Sequence, residues 1–130
     1  MDFADYLACD ATALARHVNQ GEVTPAELLD LALAQQRRVH GSVNAVVRLM
    51  EPQARAQAAG PLSGPFAGVP FLLKDSVQDY AGVPTSYGSR SMMRITPTQH
   101  AHVVRRFLEA GLVVVGKTNL PEFAIRAVTD

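Results

Sequence analysis

The stretch Gly64-Pro65-Phe66-Ala67-Gly68-Val69-Pro70-Phe71-Leu72-Leu73-Lys74-Asp75 constrains this chain more than any other. A loop punctuated by glycine and proline feeds a short, mostly apolar run, and the run stops on a lysine beside an aspartate. Such a run bounded by turn signals reads as a buried strand. Lys74 is then delivered to the strand's end, where α/β proteins tend to place their chemistry. An amine held at the edge of apolar surroundings can lose its proton near neutral pH, which makes Lys74 a candidate catalytic base.

The flanking sequence supplies helices for such a strand. Asp10 can cap a helix carrying Leu14 and Val18, with Asn19-Gln20-Gly21 as its stop, whereas Met1 to Cys9 shows no clear element. Thr24-Pro25-Ala26-Glu27 combines a capping box with proline at the first helical position, where its missing N–H costs nothing. Leu28, Leu31 and Ala32 then give an apolar stripe, widened by Leu29 and Leu33, in a helix expected to run to about Val39 with Gly41 past its end. Val43 to Leu49 reads as a strand, Pro52 to Ala59 as a short helix, and Gly60 to Gly68 as a turn-rich loop. Beyond Lys74, Asp79 to Ser89 is too irregular for a regular element and reads as an ordered loop beside the strand end. Helical spacing returns from His102 through Val103, Val104, Phe107 and Leu108, with Gly111 at a plausible C′ position. Leu112 to Val115 is a β-branched strand, and Pro121-Glu122-Phe123 can open a further helical turn. Strand, helix and strand over Val69 to Val115 imply parallel pairing through a crossover. Ile125 to Asp130 shows no closing element.

Composition narrows the partners. The chain has 130 residues, 48% hydrophobic and 18% charged, as expected of a single ordinary globular domain. Twelve basic residues balance twelve acidic ones, so charge gives no reason to propose nucleic acid or an anionic membrane. The N-terminus has Asp2 and Asp5 in place of a basic leader, and nothing approaches about 18 consecutive apolar residues. One cysteine, Cys9, has no internal partner, and His100 and His102 are two apart without further ligands at zinc spacing. A reducing, cytoplasmic setting without a metal is the expectation.

Gly111-Leu112-Val113-Val114-Val115-Gly116-Lys117-Thr118 satisfies the G-x-x-x-x-G-K-[ST] phosphate-loop pattern letter for letter. That mechanism needs a strand before the first glycine, a compact loop whose N–H groups converge on phosphate, and a helix after the lysine. Here a helical pattern precedes Gly111, and Leu-Val-Val-Val makes a poor loop and a good strand. A helix ended by glycine and followed by a buried strand is the better reading, with a nucleotide binder as the minor alternative.

Three stretches together resemble one family. Gly64 to Asp75, then Ala81-Gly82-Val83-Pro84-Thr85-Ser86-Tyr87-Gly88-Ser89, then Ala110 to Ala124 with its Gly-Lys-Thr-Asn-Leu-Pro-Glu-Phe-Ala ending, are similar in order and spacing to the N-terminal part of amidase signature enzymes. The wording Phe-Leu-Leu-Lys-Asp and Thr-Asn-Leu-Pro-Glu-Phe looks more like stand-alone bacterial amidases, including the cyclic-amide and nylon-oligomer hydrolase branch, than the tRNA-dependent amidotransferases. The resemblance implies an α/β fold with a mixed sheet and flanking helices. It also implies a Ser–cis-Ser–Lys triad acting on carboxylic amides, linear ones in particular, without metal or organic cofactor. Lys74 matches the family's catalytic lysine. In that mechanism neutral Lys74 accepts a proton through the bridging serine, the second serine attacks the amide, and an acyl-enzyme forms and is hydrolysed. Its pKa must then fall from about 10.4 toward roughly 7–8, which burial against Phe71 to Leu73 could accomplish.

The family's Gly-Gly-Ser-Ser-Gly-Gly-Ser segment, source of both serines and the oxyanion hole, has no counterpart in these 130 residues. Ser86, Ser89 and Ser91 lie in or just after the Thr-Ser-Tyr-Gly-Ser block, which in the family is not the nucleophile segment. The expectation is therefore an incomplete N-terminal portion of a single amidase domain, carrying the base without its serines and inactive alone. The alternative is a non-catalytic or degenerate fragment that needs a complementary chain or self-associates through an exposed core. Asp75 is expected to be a turn or supporting residue, because a carboxylate tightly paired with Lys74 would raise its pKa. Ser89, Thr118 and Asn119 could line a site but fit turn and backbone roles better. Lys117 reads as a solvated or ion-paired strand-end lysine, and Tyr80 and Tyr87 as a substrate lip or plain packing. His100 stands where relatives commonly carry a capping aspartate, so Thr98 is expected to take over the cap or the helix start to fray.

Overall fold

The computed structural model describes residues 1–129, Asp130 lying outside the described residues. The chain opens with α1 (Phe3–Ala8), where no element was expected. Its cause is a compact capping box: the Asp2 carboxylate accepts the Asp5 N–H at 2.8 Å while the Asp5 carboxylate accepts the Asp2 N–H. Helix α2 (Ala11–Asn19) starts as expected, with the Asp10 carboxylate accepting the Ala13 N–H at 2.8 Å.

The Thr24–Glu27 capping box also forms, opening α3 (Pro25–Val43). This helix runs past the expected stop. Gly41 lies inside it, and Asn44, with φ of 43°, supplies the left-handed C-cap. A Cβ at Gly41 would meet nothing within 4 Å. Gly41→Ala is accordingly expected to stabilise the fold by about 0.5–1 kcal/mol through helix propensity, read as a higher urea midpoint with an unchanged m-value.

Strand β1 (Val46–Leu49), helix α4 (Glu51–Ala59) and strand β2 (Pro70–Lys74) follow, then helix α5 (His102–Glu109) and strand β3 (Val113–Thr118). The strand expected from Val43 starts only at Val46, because α3 consumes its first residues. A single 3₁₀ turn covers Glu122–Ala124, where a helical opening was expected. The sheet is mixed, in the order β1-β3-β2, with β3 parallel to β2 and antiparallel to β1.

Both faces of β3 are covered. Leu29, Leu33 and Ala54, from α3 and α4, pack on Val113 and Val115. On the other face Leu73, Val83, Val104 and Met50 enclose Val114. Helix α5 starts without a side-chain cap, neither Thr98 nor His100 filling that role. His100 is drawn away, its Nδ1 accepting the Ala81 N–H at 3.0 Å while its ring meets Tyr80 edge-on. The glycine-rich loop is fastened to the α5–β3 turn by Phe66 N–H to Ala110 O and Gly68 N–H to Gly111 O, which sets where β2 begins.

Apolar surface remains open beside this sheet. Val47, Leu49 and Leu72 are exposed, and a groove of about 460 Å³ lies between α3 and the strands, lined by Ala32, Val39, Val46, Phe71 and Leu72 among others. Strand β2 has a neighbour on one side only among the described residues.

Candidate active site

The register of β2 against β3 decides what its end presents. Pro70 and Phe71 face Val113 and Val114, the pairing then slips by one residue, and Leu72, Leu73 and Lys74 face Gly116, Lys117 and Thr118. Val115 is the extra residue of this bulge, which restores Lys117 to the side of Val114 and Leu73. Gly116 permits the crowding, since a Cβ there would stand 2.7 Å from the Arg48 carbonyl oxygen of β1.

Lys74 ends β2, as the sequence implies, with its backbone N–H donated to Gln78 Oε1 at 2.6 Å. Its side chain is exposed, so the expected burial against Phe71 to Leu73 is absent within these residues. Alternation along the strand is the reason: Leu73 turns into the core while Leu72 and Lys74 turn out.

Asp75, the next residue, is 2% exposed and tied on every side. Its N–H donates to Thr118 O, its carbonyl accepts the Tyr87 N–H, and its carboxylate accepts both the backbone N–H and the hydroxyl of Ser86. The remaining partner is Lys117, whose Nζ lies 3.5 Å from Asp75 Oδ1 and donates to Thr85 Oγ1 at 2.5 Å. Lys117 is fully buried. Burial lowers its pKa from the ordinary lysine value, against the pull of Asp75. Of the two readings offered for Lys117 the ion-paired one holds, and the solvated one does not. The phosphate-loop letters thus spell a left-handed Gly111 turn and a strand, with the lysine sealed inside.

The other sequence candidates fall around this pair. A recess of about 190 Å³ is lined by Arg48, Asp75, Ser86, Ser89, Arg90 and Asn119 among others. Ser89 is buried with its hydroxyl 2.8 Å from that of Ser91, and Asn119 Oδ1 accepts the Leu120 N–H. Thr118 faces Lys74 across the ladder. Tyr80 is held by packing, its hydroxyl accepting from Gln57 Nε2 at 2.8 Å, while Tyr87 sits at φ of 54° beside Phe123. Among the described residues no group of three or more His, Cys, Asp and Glu side chains could hold a metal ion.

A protein-family model described as Amidase matches residues 27–130. The chain belongs to the amidase family. Within it, a component of the glutamyl-tRNA(Gln) amidotransferase of Deinococcus deserti is 42% identical over 92% of this chain and 26% of its own length. The 6-aminohexanoate-cyclic-dimer hydrolase of Paenarthrobacter ureafaciens is 37% identical over 93% of this chain and 25% of its own. The solved structure of a 6-aminohexanoate cyclic dimer hydrolase superposes with a TM-score of 0.85 at 36% identity, covering 95% of this chain and 25% of that one. The peptide amidase of Stenotrophomonas maltophilia does so at 0.83 and 34%, covering 94% and 26%. The α/β mixed sheet with flanking helices is thus the amidase signature arrangement, and the chain spans about a quarter of the length of these relatives. Amidotransferase components and stand-alone hydrolases both match this segment.

Sequence reasoning missed the Asp75–Lys117–Thr85–Ser86 cluster as a unit. A signal was present: the chain has only two lysines, and each closes an apolar strand run.

Proposed function

We propose that this chain is the N-terminal portion of an amidase and supplies its general base, Lys74. The activity is hydrolysis of a carboxylic amide to an acid and an amine or ammonia through an acyl-enzyme. One observation carries the assignment: of the two lysines at the strand ends, Lys117 is sealed in an ion pair, and Lys74 alone is open to a reacting partner. In this reading the bridging and nucleophilic serines come from polypeptide outside these residues. That polypeptide also covers the exposed side of β2, supplying the apolar surroundings that favour a neutral Lys74. The likeness to a peptide amidase favours a linear amide, and the likeness to a cyclic-dimer hydrolase favours a cyclic one, so the substrate is put no more finely than a carboxylic amide.

Incubating the purified chain with simple aryl and aliphatic amides is expected to give no hydrolysis. Turnover that Lys74→Ala abolishes would refute the incompleteness. The base role is tested by grafting the chain in place of the matching quarter of the cyclic-dimer hydrolase. An active graft should lose at least about a hundredfold in kcat on Lys74→Ala, and retention of activity would remove Lys74 from the mechanism.

The open groove and the one-sided β2 favour a second reading, a fragment without catalysis that associates through its exposed core. Sedimentation of the same preparation separates the two, since a monomer unfolding in one cooperative step counts against the second. Among the described residues no helix is long and apolar enough to cross a membrane. The balanced charge and single cysteine support a cytoplasmic small-molecule enzyme without nucleic-acid partners.

A further inference from the structure

Lys74 and Asp75 are adjacent, and an unneutralised carboxylate beside a lysine favours its ammonium, the form that cannot accept a proton. The fold sends the two side chains apart, Lys74 to the exterior and Asp75 to the interior. Burial alone does not remove the carboxylate's field, because a buried charge is screened less than an exposed one. What opposes the field is a second charge, and Lys117 Nζ stands 3.5 Å from Asp75 Oδ1.

The placement of Lys117 is built in. The bulge at Val115 turns it to the Leu73 side, Gly116 admits β1 against the backbone, and Thr85 Oγ1 accepts a hydrogen bond from Nζ. Further charge near the pair is mixed in sign: Arg48 approaches from β1 and Asp79 from the segment after β2. The cluster on this face adds only apolar contacts from α5, through Val104, Phe107 and Leu108. Thr85 and Ser86 contribute neutral hydroxyls.

We propose that Lys117 is the fixed counter-charge of Asp75, so that Lys74 stands beside a pair of zero net charge instead of a free carboxylate. Ionised or with its proton passed across, the pair sums to zero. Lys117 is then a positioning residue for charge, acting on Lys74 through Asp75 and touching no substrate. The inference gains its catalytic meaning from Lys74 as base, but its test needs no substrate.

With only two lysines, a chain labelled with carbon-13 at lysine Cε gives two resolvable titrations by NMR. In Lys117→Met the Lys74 midpoint is expected to rise by about half a pH unit, the pull of an unopposed carboxylate on a neighbouring residue whose side chain points the other way. In the double variant Asp75→Asn/Lys117→Met it should return to within about 0.3 unit of wild type. An unmoved midpoint in the single variant overturns the proposal. So does a fall of about half a unit or more in the double variant, since it would mean the carboxylate had been acting on Lys74 all along. Should the single variant fail to fold, Asp75→Asn takes its place: it leaves the Lys117 ammonium unopposed and should lower the Lys74 midpoint by about half a unit, and an unmoved midpoint overturns the proposal. Failure here leaves the hydrolysis reading intact, and failure of the grafted enzyme leaves this titration intact.

Discussion

Asp75→Ala is expected to cost about 3–5 kcal/mol, the loss typical of removing one partner from a buried ion pair. Against a total stability of about 5–15 kcal/mol that is a large share, and at the lower end of the range it removes most of it. The substitution strands the Lys117 ammonium in a site with no exposure, and it also orphans the Ser86 N–H and hydroxyl that Asp75 accepts. The pH dependence carries a definite sign. Burial holds the folded Lys117 pKa below the ordinary 10.5, so in the window between the folded value and 10.5 the unfolded chain binds more protons. Stability therefore rises with pH through that window. Removing Asp75 removes the attraction that opposes the lowering, and the window widens downward. Urea unfolding followed by circular dichroism at neutral and at alkaline pH reads both effects. Asp75→Asn/Lys117→Met should stay within about 1.5 kcal/mol of wild type, because the buried charge and its partner leave together. A loss below about 1 kcal/mol for Asp75→Ala, flat with pH, would mean that the pair holds nothing in place.

Where the chain's instructions are local, the sequence is readable. Thr24 and Glu27 announce α3 because both halves of the capping box lie within four residues, and the Gly64–Lys74 loop and strand are read from turn residues and an apolar run alone. The same device at Asp2 and Asp5 opens α1, and both of its halves again lie within four residues. Gly41 misleads as a stop because glycine's preference for left-handed backbone is only a propensity, and Asn44 takes that position instead. The site divides in the same way. Lys74 at the strand end follows from local pattern, whereas its exposure depends on what covers Leu72 and Lys74. The Asp75–Lys117 pair joins residues far apart in sequence, and it needs a bulge that no periodicity announces. His100 is drawn from the α5 cap by the Ala81 N–H, another contact set by tertiary structure.

Gly111→Ala is expected to destabilise the fold by about 2–5 kcal/mol and to do so by displacing β2. At φ of 88° the residue occupies backbone that non-glycine residues hold at a cost of about 1–2 kcal/mol. An added Cβ would also stand 2.5 Å from Ser63 O and 2.6 Å from Ala67 Cα, and backbone atoms cannot swing aside as a flexible side chain can. Overpacking of this kind costs about 1–3 kcal/mol more. The loop that must retreat is the one fastened by Phe66 N–H to Ala110 O and Gly68 N–H to Gly111 O, and it leads directly into Pro70. Its retreat loosens the start of the β2–β3 ladder, where Val113 N–H donates to Val69 O at 2.9 Å. Amide exchange at Val113 should therefore accelerate more than exchange within α3, whose opening turn is held by its own capping box. Equal acceleration at both places would show a global loss of stability with no local strain at the turn. An unchanged urea midpoint would show that the loop can yield and that the close approach of Gly111 to Ser63 and Ala67 does not constrain the fold. The consequence for the site is geometric, because β2 is only five residues long and Lys74 is its last. A shift at its first residue reaches the lysine with little chain in which to relax.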